Sequence, residues 1–258
     1  MSATASRWPA RADARLVAGA LVLTAGAWAL TADRMAGMDA VPGGELGGVG
    51  WFTLTWLVMM AAMMLPALTP MVVAYRRRAA SLDASAAFAG GYLAAWLVAG
   101  LVGYLAIEAV RSLDLGFLGW DEAGRYVAAA AIAGAGLYQL SAPKGAFLRR
   151  CCDRRTFVHE HWRPGRLGAV RMGVDHGGYC VGSSWALMAA LFALGMMSLT
   201  WMAVVAALIA AERLLPRTTR LAVALVFVAL GTAVALAPDR VPGLTVPGSV
   251  AIPEMQMR

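Results

Sequence analysis

Two groups of residues carry donor atoms at spacings that suit a soft metal ion. The first is the run Met59-Met60-Ala61-Ala62-Met63-Met64-Leu65-Pro66. On a helix, residues four apart share a face, so Met59 pairs with Met63 and Met60 with Met64. Thioether pairs of this kind select Cu(I) over Zn²⁺ or Mg²⁺. Pro66 withholds an N–H from the Ala62 carbonyl, and Pro70 withholds one from the Pro66 carbonyl. Interrupted helices at membrane depth line cavities or sites buried in protein. A second reading gives the four methionines only the task of filling irregular gaps between helices.

The second group is positional. All three cysteines and all three histidines fall in one stretch: Cys151, Cys152, His159, His161, His176 and Cys180. Thiols and imidazoles beside a basic segment are the donor types of a soft-metal site, and a reducing cytoplasm keeps such thiols free. Their spacing matches no zinc pattern, because the chain has Cys-Cys and His-x-His but no Cys-x-x-Cys. Histidines on a basic loop also serve as plain solvated groups. Three cysteines exclude a complete set of intrachain disulfides.

The remaining chemistry is thinner. Glu212 reads as an interfacial partner of Arg213 within snorkelling reach of water. Asp175-His176 is an acid–base dipeptide with no nucleophile beside it, and Ser183 and Ser184 read as hydrogen-bonding residues within helices. The chain carries no phosphate loop, dinucleotide fingerprint or zinc-protease motif. No nucleotide partner and no enzymatic activity are therefore expected.

The elements that must hold these residues follow from composition. Of 258 residues, 60% are hydrophobic and 14% charged, whereas a soluble domain is about one-quarter charged. Mean hydropathy is +0.65. These values exclude a soluble enzyme, a disordered chain and a disulfide scaffold, and they specify a multi-span membrane protein in contact with the bilayer. Lys and Arg number 22 against 15 acids, a net charge of +7. In such a chain the excess sets orientation, since cytoplasmic loops collect the cations. A soluble basic face for nucleic acid is absent from the sequence.

Seven apolar stretches can be drawn, at 16–32, 51–75, 86–110, 126–142, 179–197, 199–215 and 221–237. Read as one helix, the fifth and sixth stretches together, 179–215, would run about 55 Å against a hydrocarbon core of about 30 Å, so they must fold as a hairpin. With the hairpin, Arg76-Arg77-Arg78, the 144–171 segment, Arg213, Arg217 and Arg220 fall on the same side as the basic N-terminus. The segments 33–50 and 111–125 fall on the other side, each with more acids than bases. The expectation is an all-α, polytopic helical bundle of about seven transmembrane helices with its N-terminus inside. Residues 1–15 form a cytoplasmic segment, 16–237 the membrane domain and 238–258 an irregular tail. Within the domain, 143–178 is expected to be a basic cytoplasmic loop holding the Cys and His cluster in or beside it. Trp51, Trp56, Trp120, Tyr126 and Tyr179 read as interfacial belt residues. Small residues such as those of 129–136 allow helices to approach closely in lipid.

Several runs together resemble one bacterial family. They are Trp56 through Pro66, Tyr138-Gln139-Leu140 with Pro143-Lys144, and His161-Trp162-Arg163-Pro164-Gly165. Met172-Gly173, His176-Gly177 and Tyr179-Cys180 follow, then Trp185 to Met188, Met197, Trp201-Met202 and Glu212. In order and spacing they resemble the predicted metal-binding integral membrane proteins, a domain of unknown function numbered 2182 and sometimes labelled copper chaperone. The resemblance runs from about Trp51 to Pro216. It implies a cysteine where this chain has Phe147, and a Cys-x-Gly-Cys-Cys run where it has Cys180-Val181-Gly182-Ser183-Ser184. Three thiols of the family pattern are thus missing, and soft-metal affinity depends on such ligands.

The reading that joins residues and resemblance is a Cu(I)-handling protein of the bacterial cytoplasmic membrane, a chaperone or a conduit. Met59, Met60, Met63 and Met64 hold the ion within the membrane, while Cys151, Cys180 and His176 exchange it at the cytoplasmic end. Its partner is another membrane protein or a copper-carrying protein. The alternative is a metal-free structural or partner-binding subunit with a vestigial site. A membrane metalloenzyme ranks last, since it needs several histidines on spans.

Overall fold

A computed structural model of the chain describes residues 10–36, 47–113, 123–195, 198–238 and 241. Among these, all regular structure is helical. The helices are α1 (Ala10–Met35), α2 (Val49–Ala79), α3 (Leu82–Ser112), α4 (Arg125–Tyr138), α5 (Ala142–Cys152), α6 (Arg154–Glu160), α7 (Gly165–Leu194), α8 (Leu199–Leu214) and α9 (Pro216–Leu236). Five of them, α1, α2, α3, α7 and α9, are long and apolar enough to cross a membrane. The other two apolar stretches form α4 and α8, of 14 and 16 residues. At 1.5 Å per residue these reach about 21 and 24 Å, short of a full hydrocarbon core. Arg7, Trp120, Met197 and nearly all of the expected tail lie outside the described residues.

The expected loop at 143–178 is instead helical, and this is the main departure. Ser141 starts α5 by accepting from the Lys144 N–H, and Asp153 starts α6 by accepting from Thr156 N–H at 3.2 Å. These are N-caps that relieve unpaired donors of a first helical turn. Helix α7 begins at Gly165, fourteen residues before the expected start of a span at Tyr179. Its 30 residues extend about 45 Å, longer than the roughly 30 Å of a hydrocarbon core. Arg166, Arg171 and Asp175, which read as loop residues, lie on that part of the helix with exposed or half-buried side chains.

Other boundaries follow the sequence more closely. Helix α7 stops at Gly195, whose φ of 96° favours glycine, and Ser198 caps α8. The expected hairpin therefore forms. Within the segment 1–15, α1 begins at Ala10. Helix α2 continues through Pro66 and Pro70 without a break.

The helices pack mainly as α3 along α7, α4 along α9 and α1 along α2. Small residues make the first of these possible. A side chain at Gly91 would meet the backbone of Val170, and one at Gly173 would meet the backbone of Phe88. Gly177, four residues on, lies against Tyr92 and Ala95. Between helices in lipid, close backbone approach of this kind supplies van der Waals contact that burial from water does not. Leu21, Val22, Val98, Val102, Leu105, Leu225 and Val226 point outward from the bundle.

Cross-links fix which helix ends lie together. Arg77 pairs with Asp13 at 2.6 Å, joining the end of α2 to the start of α1. Arg220 Nε and Nη2 donate to the carbonyls of Gln139 and Ser141 at 2.7 and 3.0 Å, joining the start of α9 to the end of α4. The short helices α5 and α6 lie at this same arginine-rich end.

Gly173→Ala should lower thermal stability in detergent, because the added methyl meets the Phe88 carbonyl. The expected cost is roughly 1–3 kcal/mol. Gly90→Ala, where nothing lies within 4 Å, should leave stability unchanged or raise it. Equal melting temperatures for the two variants would contradict the close approach.

Candidate metal centre

The four methionines of α2 are all interior: Met59, Met60 and Met64 are 0% exposed and Met63 2%. Above them the interior is closed by aromatic rings. Trp56 stacks on Phe52 and Phe192, and its Nε1 donates to the Trp96 carbonyl at 2.9 Å. Trp56 is therefore buried rather than a belt residue, whereas Trp51 and Tyr126 are exposed. Tyr179 is half-buried, edge-on to Phe157, with Arg150 over its ring.

Below the methionines lies a thiol centre. Cys180 of α7 is fully buried, with the Tyr92 hydroxyl 3.0 Å from its sulfur. Arg213 Nη2 of α8 donates to the same sulfur, and Arg213 Nη1 donates to the Ala67 carbonyl of α2 at 3.2 Å. Cys151, from α5, is buried beside Cys180, and this neighbour, with burial behind it, holds its thiol well above the ordinary value. All three cysteines are free of disulfides, and Cys152 is only half-buried.

One turn from Cys180 on the same helix stands His176, 1% exposed, with neither ring nitrogen hydrogen-bonded. Its ring is enclosed by Phe88, Tyr92 and Phe157 at centroid distances of 6.0, 5.8 and 5.1 Å. A buried imidazole without a partner loses its hydration and gains nothing in return. Asp175 does not pair with it, facing Arg163 at 3.8 Å instead.

Two contacts set the height of α2 against α7: Trp56 on Phe192, and Ala67 joined through Arg213 to Cys180. Met63 and Met64 precede Ala67 by four and three residues, which is about 6 and 4.5 Å along the axis. The thioethers thus stand about one turn above the thiol pair, with His176 one turn below it. The donors expected from sequence do not converge on one point. Among the described residues, no group of three or more His, Cys, Asp or Glu side chains is placed to hold a metal together. The structure joins Cys151 with Cys180, sets His176 beside them, and leaves Cys152 and His159 apart.

Three positions at which the resemblance implied further thiols lie around this pair. Phe147, one turn before Cys151 on α5, lays its ring against Gly182. Ser183 and Ser184 are buried on α7, and Ser183 Oγ donates to the Cys180 carbonyl at 2.9 Å. The serines act within the helix, as expected.

Sequence reasoning missed the charged groups nearby. Glu212 does not pair with Arg213 or reach water. It is 1% exposed and bonds Lys144 Nζ, itself 0% exposed, at 2.6 Å. Gln139, near the end of α4, is also fully buried, with both amide atoms unpartnered. An acid in an apolar run was a visible signal, but its lysine lies 68 residues away in sequence. Tyr92 and Arg213 gave no signal of a thiol contact.

Comparison with known families adds one finding. The model of a copper chaperone family, PpoB2, matches residues 53–236, from the first turns of α2 to the end of α9. No curated protein and no solved structure gives a significant match.

Lys144→Met should destabilise the fold by about 3 kcal/mol or more, since it leaves a buried carboxylate uncompensated. Adding Glu212→Leu should recover most of that loss in a double-mutant cycle of thermal melts. Additive losses would mean that the pair is not coupled.

Proposed function

This chain belongs to the copper chaperone family, and from that membership and its ladder of soft donors we propose that it handles Cu(I) within a membrane. The observation that carries the reading is the dry pair Cys151–Cys180, held between α5 and α7 below four buried methionines. Cu(I) is cargo here, bound and passed on rather than kept as a cofactor.

In this reading the chain spans the bacterial cytoplasmic membrane seven times, with α4 and α8 as the short spans and the N-terminus inside. The gathering of Asp13–Arg77, Arg220 and the arginines of α5 and α6 at one end supports that orientation. The thiol pair then opens toward the cytoplasmic end, where a copper-carrying partner delivers or receives the ion. Cu(I) accepts two soft donors in a line, so the pair suffices to bind it, and His176 offers a third. From the thiols the ion moves by ligand exchange to Met63 and Met64, then to Met59 and Met60. Each step makes one metal–sulfur contact as another breaks, so no step requires a bare ion in the bundle interior. The chain acts as a carrier without a chemical reaction of its own.

Arg213 sets the charge. As Cu(I) binds, the Cys151 thiol gives up its proton to water at the cytoplasmic end; two thiolates, one Cu(I) and one guanidinium then sum to zero, whereas a divalent ion leaves a net positive charge in a low-dielectric interior. The arrangement therefore favours a monovalent soft ion. A second reading, a metal-free structural subunit, is favoured by one observation: Cys180 is already engaged by Tyr92, Arg213 and Cys151.

Variants separate the two. Cys180→Ser should weaken Cu(I) binding about 100-fold or more in anaerobic competition, roughly 3 kcal/mol. Met59→Leu/Met63→Leu/Met64→Leu, which keeps side-chain volume, should lower the number of ions held while the thiol pair keeps its own. Wild-type affinity and stoichiometry in both variants would remove these donors from the site, whereas a folded wild-type chain that binds no Cu(I) would leave the metal-free reading standing.

A further inference from the structure

A cleft of about 850 Å³ lies at the arginine-rich end between α1, α2 and α6. Its wall has two chemistries. One half is an apolar groove of Val17, Leu21, Pro66, Pro70 and Val73, and both α1 residues are open to the outside of the bundle. The other half is a cationic rim of Arg77, Arg78, Arg154 and Arg155. The one acid in the lining, Asp13, is already closed by Arg77. Arg154 and Arg155 form no ion pair among the described residues. Arg78 lies over the Trp162 ring at 4.7 Å, a stacking that leaves its in-plane N–H groups available.

From this structure we propose that the cleft binds an anionic phospholipid, its phosphate on the arginine rim and an acyl chain in the groove between α1 and α2. Charge complementarity selects the headgroup, because three cations remain after Arg77 and Asp13 cancel. The groove selects a lipid over a soluble anion, which would leave Val17 and Leu21 uncovered. Length agrees as well: from Pro66 to Arg78 α2 rises about 18 Å, close to the roughly 15 Å depth of one hydrocarbon leaflet. Basic pockets between membrane helices on the cytoplasmic side are suited to such headgroups. A lipid seated here bridges α1 and α6, each of which packs on α2. The inference does not depend on copper.

The test uses the full chain in nanodiscs of phosphatidylcholine alone or mixed equally with phosphatidylglycerol, followed by native mass spectrometry after release into detergent. Wild type should retain phosphatidylglycerol in preference to phosphatidylcholine. Arg154→Gln/Arg155→Gln should reduce that retention about tenfold, or about 1.4 kcal/mol. Arg166→Gln/Arg171→Gln, exposed at the same end on α7 but outside the cleft, should not. Leu21→Ser should reduce retention without any change of charge. Equal retention of both lipids, or equal loss in the two arginine variants, would overturn the site. Displacement of the lipid by inorganic phosphate would make it an anion site and overturn the lipid assignment.

Discussion

The guanidinium of Arg213 joins three helices at one point: its own α8, the Ala67 carbonyl of α2 and the Cys180 sulfur of α7. A cation inside an apolar bundle is costly unless its charge and its N–H groups are met. Meeting them fixes the height of α2 against α7, and so the height of the methionines above the thiols. Cys151 and Tyr92 gather at the same sulfur, the Tyr92 hydroxyl at 3.0 Å. Proline helps indirectly. Pro66 and Pro70 weaken the hydrogen-bond ladder of α2 beside Ala67, where Arg213 supplies an external donor.

This centre is held by contacts of a different kind. Gly91, Gly173 and Gly177 let α3 and α7 touch along their backbones, which places Tyr92 over Cys180 and Phe88 over His176. The Lys144–Glu212 pair ties α5, and with it Cys151, to α8. Two buried ion-containing contacts on neighbouring residues of α8 thus hold the two thiol-bearing helices. Copper handling asks for such an arrangement, in which soft donors are kept dry and close while no single site encloses the ion on all sides.

Much of this was legible in the sequence, for reasons that residues make plain. Apolar runs marked the helices, and the Gly195–Ser198 punctuation agrees with a hairpin demanded by length and charge. The clustering of cysteines and histidines marked the region of the thiol pair. The start of α7 was not legible, because Arg166, Arg171 and Asp175 decorate a helix that projects past its apolar part. Trp56 looked like a belt residue because an indole gives the same signal at an interface and over a glycine; Gly100 lies beneath it. Arg213 and Lys144 were invisible as site residues since their partners are 33 and 68 positions away. Charge patterning could count them but not pair them.

The most direct measurement is an anaerobic Cu(I) titration of the detergent-purified wild-type chain against a competing chelator, with elemental analysis of the protein as isolated. A thiol pair balanced by Arg213 and backed by four methionines predicts chelator-resistant Cu(I) at near-stoichiometric or higher occupancy. A monodisperse, folded sample that holds no Cu(I) would contradict it, and would leave the buried donors as packing alone.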